Sequence, residues 1–262
     1  MDMASLPRAV ELACPAARNS RWHPGGQAAL HSEIFTPGTE ASGAGAALAL
    51  ALDGMRASAR ESEGAPKDDT QERCILWVQD MKAQRLAGRP YRPGLPEALR
   101  HRLIHVAAKT PEDALFALEE GVRCRDLACV IGEVAGNPRA LDFTASRRLS
   151  LAAKRHGVPL FLVRLNAEHD LSSARMRWDV VAAPSAPPLW NPAAPGHPAW
   201  QAQLFRARTH APGEWTLRDE GSFLAAERPP ERHADTATSP DPAPANHGDL
   251  DLRTGARSLA AL

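Results

Sequence analysis

The residues with most claim on chemistry lie between Gly38 and Gly45, where the chain reads Gly38-Thr39-Glu40-Ala41-Ser42-Gly43-Ala44-Gly45. This is the glycine frame of a loop that cradles phosphates with backbone N–H groups. Its surroundings fit, because Ile34 and Phe35 end a short strand before it and an alanine-rich helical stretch follows through Leu48 and Leu52 to Met55. The side chains do not fit. The lysine that would reach the terminal phosphates is replaced by Ala44, and the hydroxyl that would hold magnesium by Gly45. Glu40 adds a negative charge where phosphates would lie. Losing the cation and the metal ligand removes most transition-state charge stabilisation. Gly38, Gly43, Ala44 and Gly45 therefore read as a degenerate phosphate loop, with no catalytic residue, no cofactor and no metal expected.

The partners of such a loop are equally depleted. A strand at Leu127–Ile131 should deliver an aspartate to magnesium, but Gly132 and Glu133 follow it; Glu133 is a possible substitute, and a loop residue beside a helix start is the plainer reading. Gln79 and Asp80 occupy the place of a water-activating carboxylate, and Asp80 alone makes no catalytic pair. No H-E-x-x-H, G-x-S-x-G or C-x-x-C pattern occurs. Cys14, Cys74, Cys124 and Cys129 are irregularly spaced, as free thiols in a reducing compartment would be. His105 and His156 read as structural.

Two groups of residues suggest binding instead. Arg147, Arg148, Lys154 and Arg155 share one expected helix and are candidates for DNA phosphate contact. The competing reading is a solvated face whose cations complement the helix C-terminus. Trp190 and Trp200, placed in Pro-rich turns, are candidate partner-docking residues. Leu250, Leu252, Leu259 and Leu262 are apolar positions in an otherwise polar tail, as in a peptide that folds on a partner, and an inert extension is the equal alternative. Trp77, Trp178 and Trp215 fall in strand patterns and are assigned to the core.

The elements that must position these residues follow from the apolar pattern. The 262 residues are 44% hydrophobic and 24% charged, enough for a sizeable core. Lys+Arg and Asp+Glu number 31 each, so no global field favours nucleic acid or membrane, although local patches remain open. Only four of the cations are lysines, read as a coding bias. Continuous apolar runs at Cys74–Val78, Leu127–Ile131 and Leu160–Val163 read as buried strands, and Leu103-Ile104-His105-Val106 reads as a further strand. Helices between them begin at Thr110-Pro111-Glu112-Asp113 and at about Thr144. Alternation of this kind predicts an α/β fold with a mainly parallel sheet flanked by helices. After Arg175, short strands between Pro/Gly-rich turns predict a C-terminal antiparallel extension. The organisation expected is an irregular arm over 1–29, one domain over 30–227 and a disordered tail over 228–262. No signal peptide or spanning run is read, so a cytoplasmic location is expected.

The order of these elements resembles the RecA-type core. More closely, His31-Ser32-Glu33-Ile34-Phe35, Arg89-Pro90-Tyr91-Arg92-Pro93-Gly94-Leu95, Val130-Ile131-Gly132-Glu133-Val134, Leu141 to Leu149, and Arg177-Trp178-Asp179-Val180 running to Ser185 are similar to segments of the ImuA family. That family comprises RecA-related proteins of bacterial damage-induced (SOS) mutagenesis. The resemblance spans roughly 30–220. It implies a non-catalytic accessory factor for error-prone translesion DNA synthesis, acting with an ImuB-type polymerase-like protein and an error-prone DNA polymerase, with RecA as a further partner. Contact with single-stranded DNA would be weak or indirect, and no membrane is involved. Two other readings stay open: a SulA-like cell-division inhibitor, and a RecA-like ATPase with a remodelled nucleotide site. The stretches where RecA carries long DNA-binding loops are short here, including Arg164 to Arg175 with Glu168, His169 and Asp170.

Overall fold

The apolar runs pair into one nine-stranded sheet. The computed structural model describes Pro24 and residues 29–61, 73–188, 190–208 and 210–228, all within a compact unit spanning Met1–Pro229. The strands are β1 (His31–Thr36), β2 (Cys74–Asp80), β3 (Leu103–Ala108), β4 (Leu127–Ala135), β5 (Leu160–Leu165), β6 (Met176–Ala182), β7 (Ala199–Ala207), β8 (Gly213–Asp219) and β9 (Leu224–Glu227). Their order across the sheet is β3-β2-β4-β5-β1-β6-β7-β8-β9. Pairing is parallel from β3 to β6 and antiparallel from β6 to β9. The fold is thus α/β, a parallel core flanked by helices and continued by a C-terminal antiparallel meander. The meander begins at β6, as its composition suggests, and β6 joins the two parts by lying parallel to β1 and antiparallel to β7.

Each face of the sheet buries its own set of residues. One face packs α1 (Ser42–Glu61) and α2 (Met81–Ala87) over Ile34, Trp77, Ile131, Val163 and Trp178. The other packs α4 (Pro111–Arg123) and α5 (Phe143–His156) over Leu76, Val78, Val130, Val134 and Leu162. Strands buried on both faces need apolar residues at consecutive positions, and this is why the runs are continuous rather than alternating. Trp77, Trp178 and Trp215 are all buried, with Trp178 and Trp215 edge to face at 5.8 Å.

Helix ends follow local chemistry. Thr110 caps α4 by accepting from Asp113 N, with Pro111 in the first turn. Asp142 caps α5 through Ala145 N, and Gly157 ends it at φ 73°, a left-handed conformation that suits glycine. The short helices α2 and α3 (Glu97–Arg100) were not legible as periodic patterns. In α2 the cap is decisive: Asp80, the last residue of β2, accepts from Ala83 N at 2.6 Å.

Candidate functional site

In open α/β sheets the crevice beyond the carboxyl ends of the strands is the place for ligands. The glycine loop lies there, between β1 and α1. Two of its polar groups are committed to the protein itself. Gly38 N donates to Asn166 Oδ1 at 2.7 Å, and Asn166, just past β5, sits at φ 50° to do so. A Cβ on Gly38 would come within 2.6 Å of the Asn166 amide. Glu40 turns across to β6, where its carboxylate accepts from Ala182 N at 3.3 Å. The negative charge of the loop is thereby used as a strand-end cap.

The other glycines admit neighbours rather than ligand. A Cβ on Gly43 would lie 2.5 Å from Thr36 Cγ2 and 2.8 Å from Val163 Cγ1, so α1 starts hard against β1 and β5. A Cβ on Gly45 would meet the Trp200 ring at 2.8 Å, and Ala44 packs against the same core. Close approach of helix and sheet is sufficient reason for glycine at both places. It also corrects the reading of Trp200. This residue lies inside β7, 7% exposed, filling the space that Gly45 leaves, and offers no docking surface.

Behind the loop lies a buried polar cluster. Glu133 is not a loop residue: β4 runs on to Ala135, because Gly132 and Glu133 keep their parallel pairing to Val78 and Gln79 of β2. Trp77 Nε1 donates to Glu133 Oε1 at 2.6 Å, and Gln79 Nε2 donates to the same oxygen at 3.0 Å. Gln79 Oε1 then meets His105 Nε2 on β3 at 2.9 Å. Burial pushes the Glu133 carboxyl up to about 7, against the two hydrogen bonds that favour its ionised form; the nearby Asp80 adds to the rise. Asp80 is also buried, with Oδ2 3.3 Å from Ala135 N, so it staples β2 to β4 rather than facing an open site. Burial lowers the His105 pKa, and Arg89 and Arg92 lower it further.

The short stretch after β5 is pinned to the opposite sheet face. His169 stacks on Phe205 at 4.1 Å and pairs with Asp179 at 2.8 Å. Asn137 holds Asp170 and the Glu168 backbone. Beneath them Glu33, fully buried, receives Arg177 Nε at 2.8 Å and Ser172 Oγ at 2.6 Å. This ion-pair cluster was not foreseen, since Glu33 and Arg177 are 144 residues apart.

The remaining candidates are dispersed. Arg147, Arg148, Lys154 and Arg155 are exposed on α5, and Arg148 is paired with Glu119 of α4 at 3.3 Å. Trp190 stands 81% exposed in the Pro-rich connection between β6 and β7. Leu250, Leu252, Leu259 and Leu262 lie outside the described residues, as do most of the expected arm and the tail. A second concavity of about 600 Å³ opens at the far end of the parallel strands, lined by Leu52, Met55, Leu99, Cys129, Phe161 and the stem of Arg102 among others. Nothing in the sequence pattern marks it. Among the described residues no three His, Cys, Asp or Glu side chains converge as metal ligands. No helix among them is long and apolar enough to cross a membrane. No protein-family model matches the chain, and no curated protein matches it.

Proposed function

We propose that this protein is a non-catalytic, RecA-like accessory factor in damage-induced, error-prone translesion synthesis. It would serve as an adaptor for an ImuB-type polymerase-like protein and an error-prone DNA polymerase. One observation carries the non-catalytic part of this reading. The glycine loop keeps the strand–loop–helix setting of a phosphate site, yet its N–H at Gly38 is bonded to Asn166 and its acid at Glu40 to Ala182. A loop that spends its Gly38 N–H internally, brings an acid and lacks the lysine and hydroxyl has little with which to drive triphosphate turnover.

The adaptor part rests on the family resemblance and on the succession of elements from β1 to β6. Trp190 is the residue on the described surface best suited to anchor a partner, a large aromatic exposed beside prolines that limit its backbone entropy. The test is affinity co-purification from cells treated with a DNA-damaging agent. Recovery of a polymerase pair, reduced by Trp190→Ala, is expected. Recovery of the cell-division tubulin homologue would point to the inhibitor class instead. Brisk magnesium-dependent ATP turnover by the purified chain, abolished at Gly38 or Gly43, would overturn the non-catalytic reading.

A further inference from the structure

A chain with no net charge can still carry a strongly charged surface, and here the positive excess collects around the edge strand β3. Residues 81–110 contain Lys82, Arg85, Arg89, Arg92, Arg100, Arg102 and Lys109 against the single carboxylate Glu97. All of these cations except Arg102 are exposed, and none of the ion pairs among the described residues involves any of them. Elsewhere in the chain some arginines find acids, as Arg123 does with Glu119 and Glu120 and Arg218 with Glu227, while others, such as Arg147 and Arg155, make no ion pair among the described residues.

The fold gathers these residues into one region. β3 ends the sheet, with α2 packed beside it. Arg92 reaches the edge strand directly, donating to Leu103 O at 3.1 Å, and Arg100 Nε donates to Leu95 O in the same connection. Arg89 and Arg92 both act on His105 in the middle of β3. Lys109 stands at the other end of the strand. Gln79 anchors the connection by donating to Gly88 O, so the cations project from a fixed support.

Apolar groups are interleaved with the cations. Tyr91, the one tyrosine of the chain, is 74% exposed between Arg89 and Arg92, and Leu86 and Ile104 are also exposed. An aromatic ring held in solvent between guanidinium groups fits a single nucleic-acid strand. The cations take phosphates, and the ring stacks on a base without regard to its identity. Arginine suits the role through its planar fork of donors, matched to phosphate oxygens. An acidic protein partner would use the cations but would leave Tyr91 without a specific task.

We infer that the edge of the sheet formed by α2, the Arg89–Leu95 connection and β3 is a binding surface for single-stranded nucleic acid, with phosphates on Arg85, Arg89, Arg92 and Lys109 and a base on Tyr91. The surface is distinct from the cationic face of α5, and the inference does not depend on the adaptor reading. The test is fluorescence anisotropy of labelled oligothymidylate with the full chain across a salt titration.

Saturable binding that weakens with salt is expected. Arg89→Glu with Arg92→Glu should reduce affinity at least tenfold and shallow the salt dependence by about 1.4 in log–log slope, for two lost phosphate contacts. Tyr91→Ala should cost about five- to a hundredfold with the slope unchanged. Arg85→Glu with Lys109→Glu, at exposed positions whose side chains make no hydrogen bond among the described residues, separates binding from folding and should also weaken affinity. Arg147→Glu with Arg155→Glu on α5 should leave affinity unaltered. No salt-dependent binding would overturn the inference, as would loss confined to the α5 variant. Equal binding of polyglutamate with no effect of Tyr91→Ala would overturn it in favour of an acidic protein partner.

Discussion

The crevice at the carboxyl ends of the parallel strands and the rim around β3 carry opposite arrangements of polar groups. In the crevice, Gly38, Glu40, Asp80 and Glu133 all bond to other parts of the chain. On the rim, six exposed cations make no ion pair among the described residues. The region whose motif suggests a ligand is a packed joint, whereas the region without a motif keeps its charges available. A glycine pattern reports close backbone approach, and either a ligand or another side chain can supply the approaching group.

That contrast can be broken first at the joint. Trp200→Ala should empty the space against Gly45 and destabilise the fold by about 3–5 kcal/mol, measured by urea unfolding. A loss well below this would mean that the loop and β7 are only loosely coupled and that the crevice can open.

The buried titrating groups sharpen the comparison through pH. Glu133 is raised from 4.5 to about 7, so its share of stability is present below pH 4.5 and disappears as pH rises to 7. His31, which meets Ser150 Oγ at 2.6 Å, is lowered from 6.5 to about 4, chiefly by burial. Its share is present above pH 6.5 and disappears as pH falls to 4. Between pH 4.5 and 6.5 these two slopes oppose each other and largely cancel, leaving the rise with pH contributed by His105 and His210, whose pKa values burial also lowers. Glu133→Gln should unmask a stability that rises with pH, and His31→Gln one that falls. Each slope is at most about 1.4 kcal/mol per pH unit. Unfolding curves at stepped pH check this; a steep slope in the unmodified protein would show that one of the groups is hydrated.

Gly43→Ala comes next. The added methyl has Thr36 and Val163 in its way, and a cost of about 1–3 kcal/mol is expected by thermal unfolding. Tolerance of alanine there would place slack where the structure has contact. The smallest effect belongs to α5. Arg147→Ala with Arg155→Ala should change stability by no more than about 0.5 kcal/mol, since both are exposed and only Arg155 lies in the last turn.

Much of the scaffold was legible because its signals are local. The runs at Cys74 and Leu160, the cap at Thr110 and the stop at Gly157 each depend on a few consecutive residues. Other features were misread for an equally definite reason. Glu133 looked like a loop residue because a carboxylate interrupts an apolar run, and its strand is extended by Trp77 and Gln79, more than fifty residues earlier. Trp200 looked exposed because prolines precede it; Gly45, far back in the chain, makes the space it fills. The β3 rim was hidden inside a charge balance of zero and a coding bias toward arginine.

The chain by itself determined where the parallel strands and the long helices form, which runs need cover on both faces, and which phosphate-binding side chains are missing. Only the folded arrangement decided that Asn166 and Ala182 take up the loop's polar groups, that Trp200 is core, and that cations spread over thirty residues share an edge. The division has a physical cause. Propensity and capping act over a few residues, whereas satisfying a buried carboxylate or crowding like charges together depends on neighbours brought in by the sheet order.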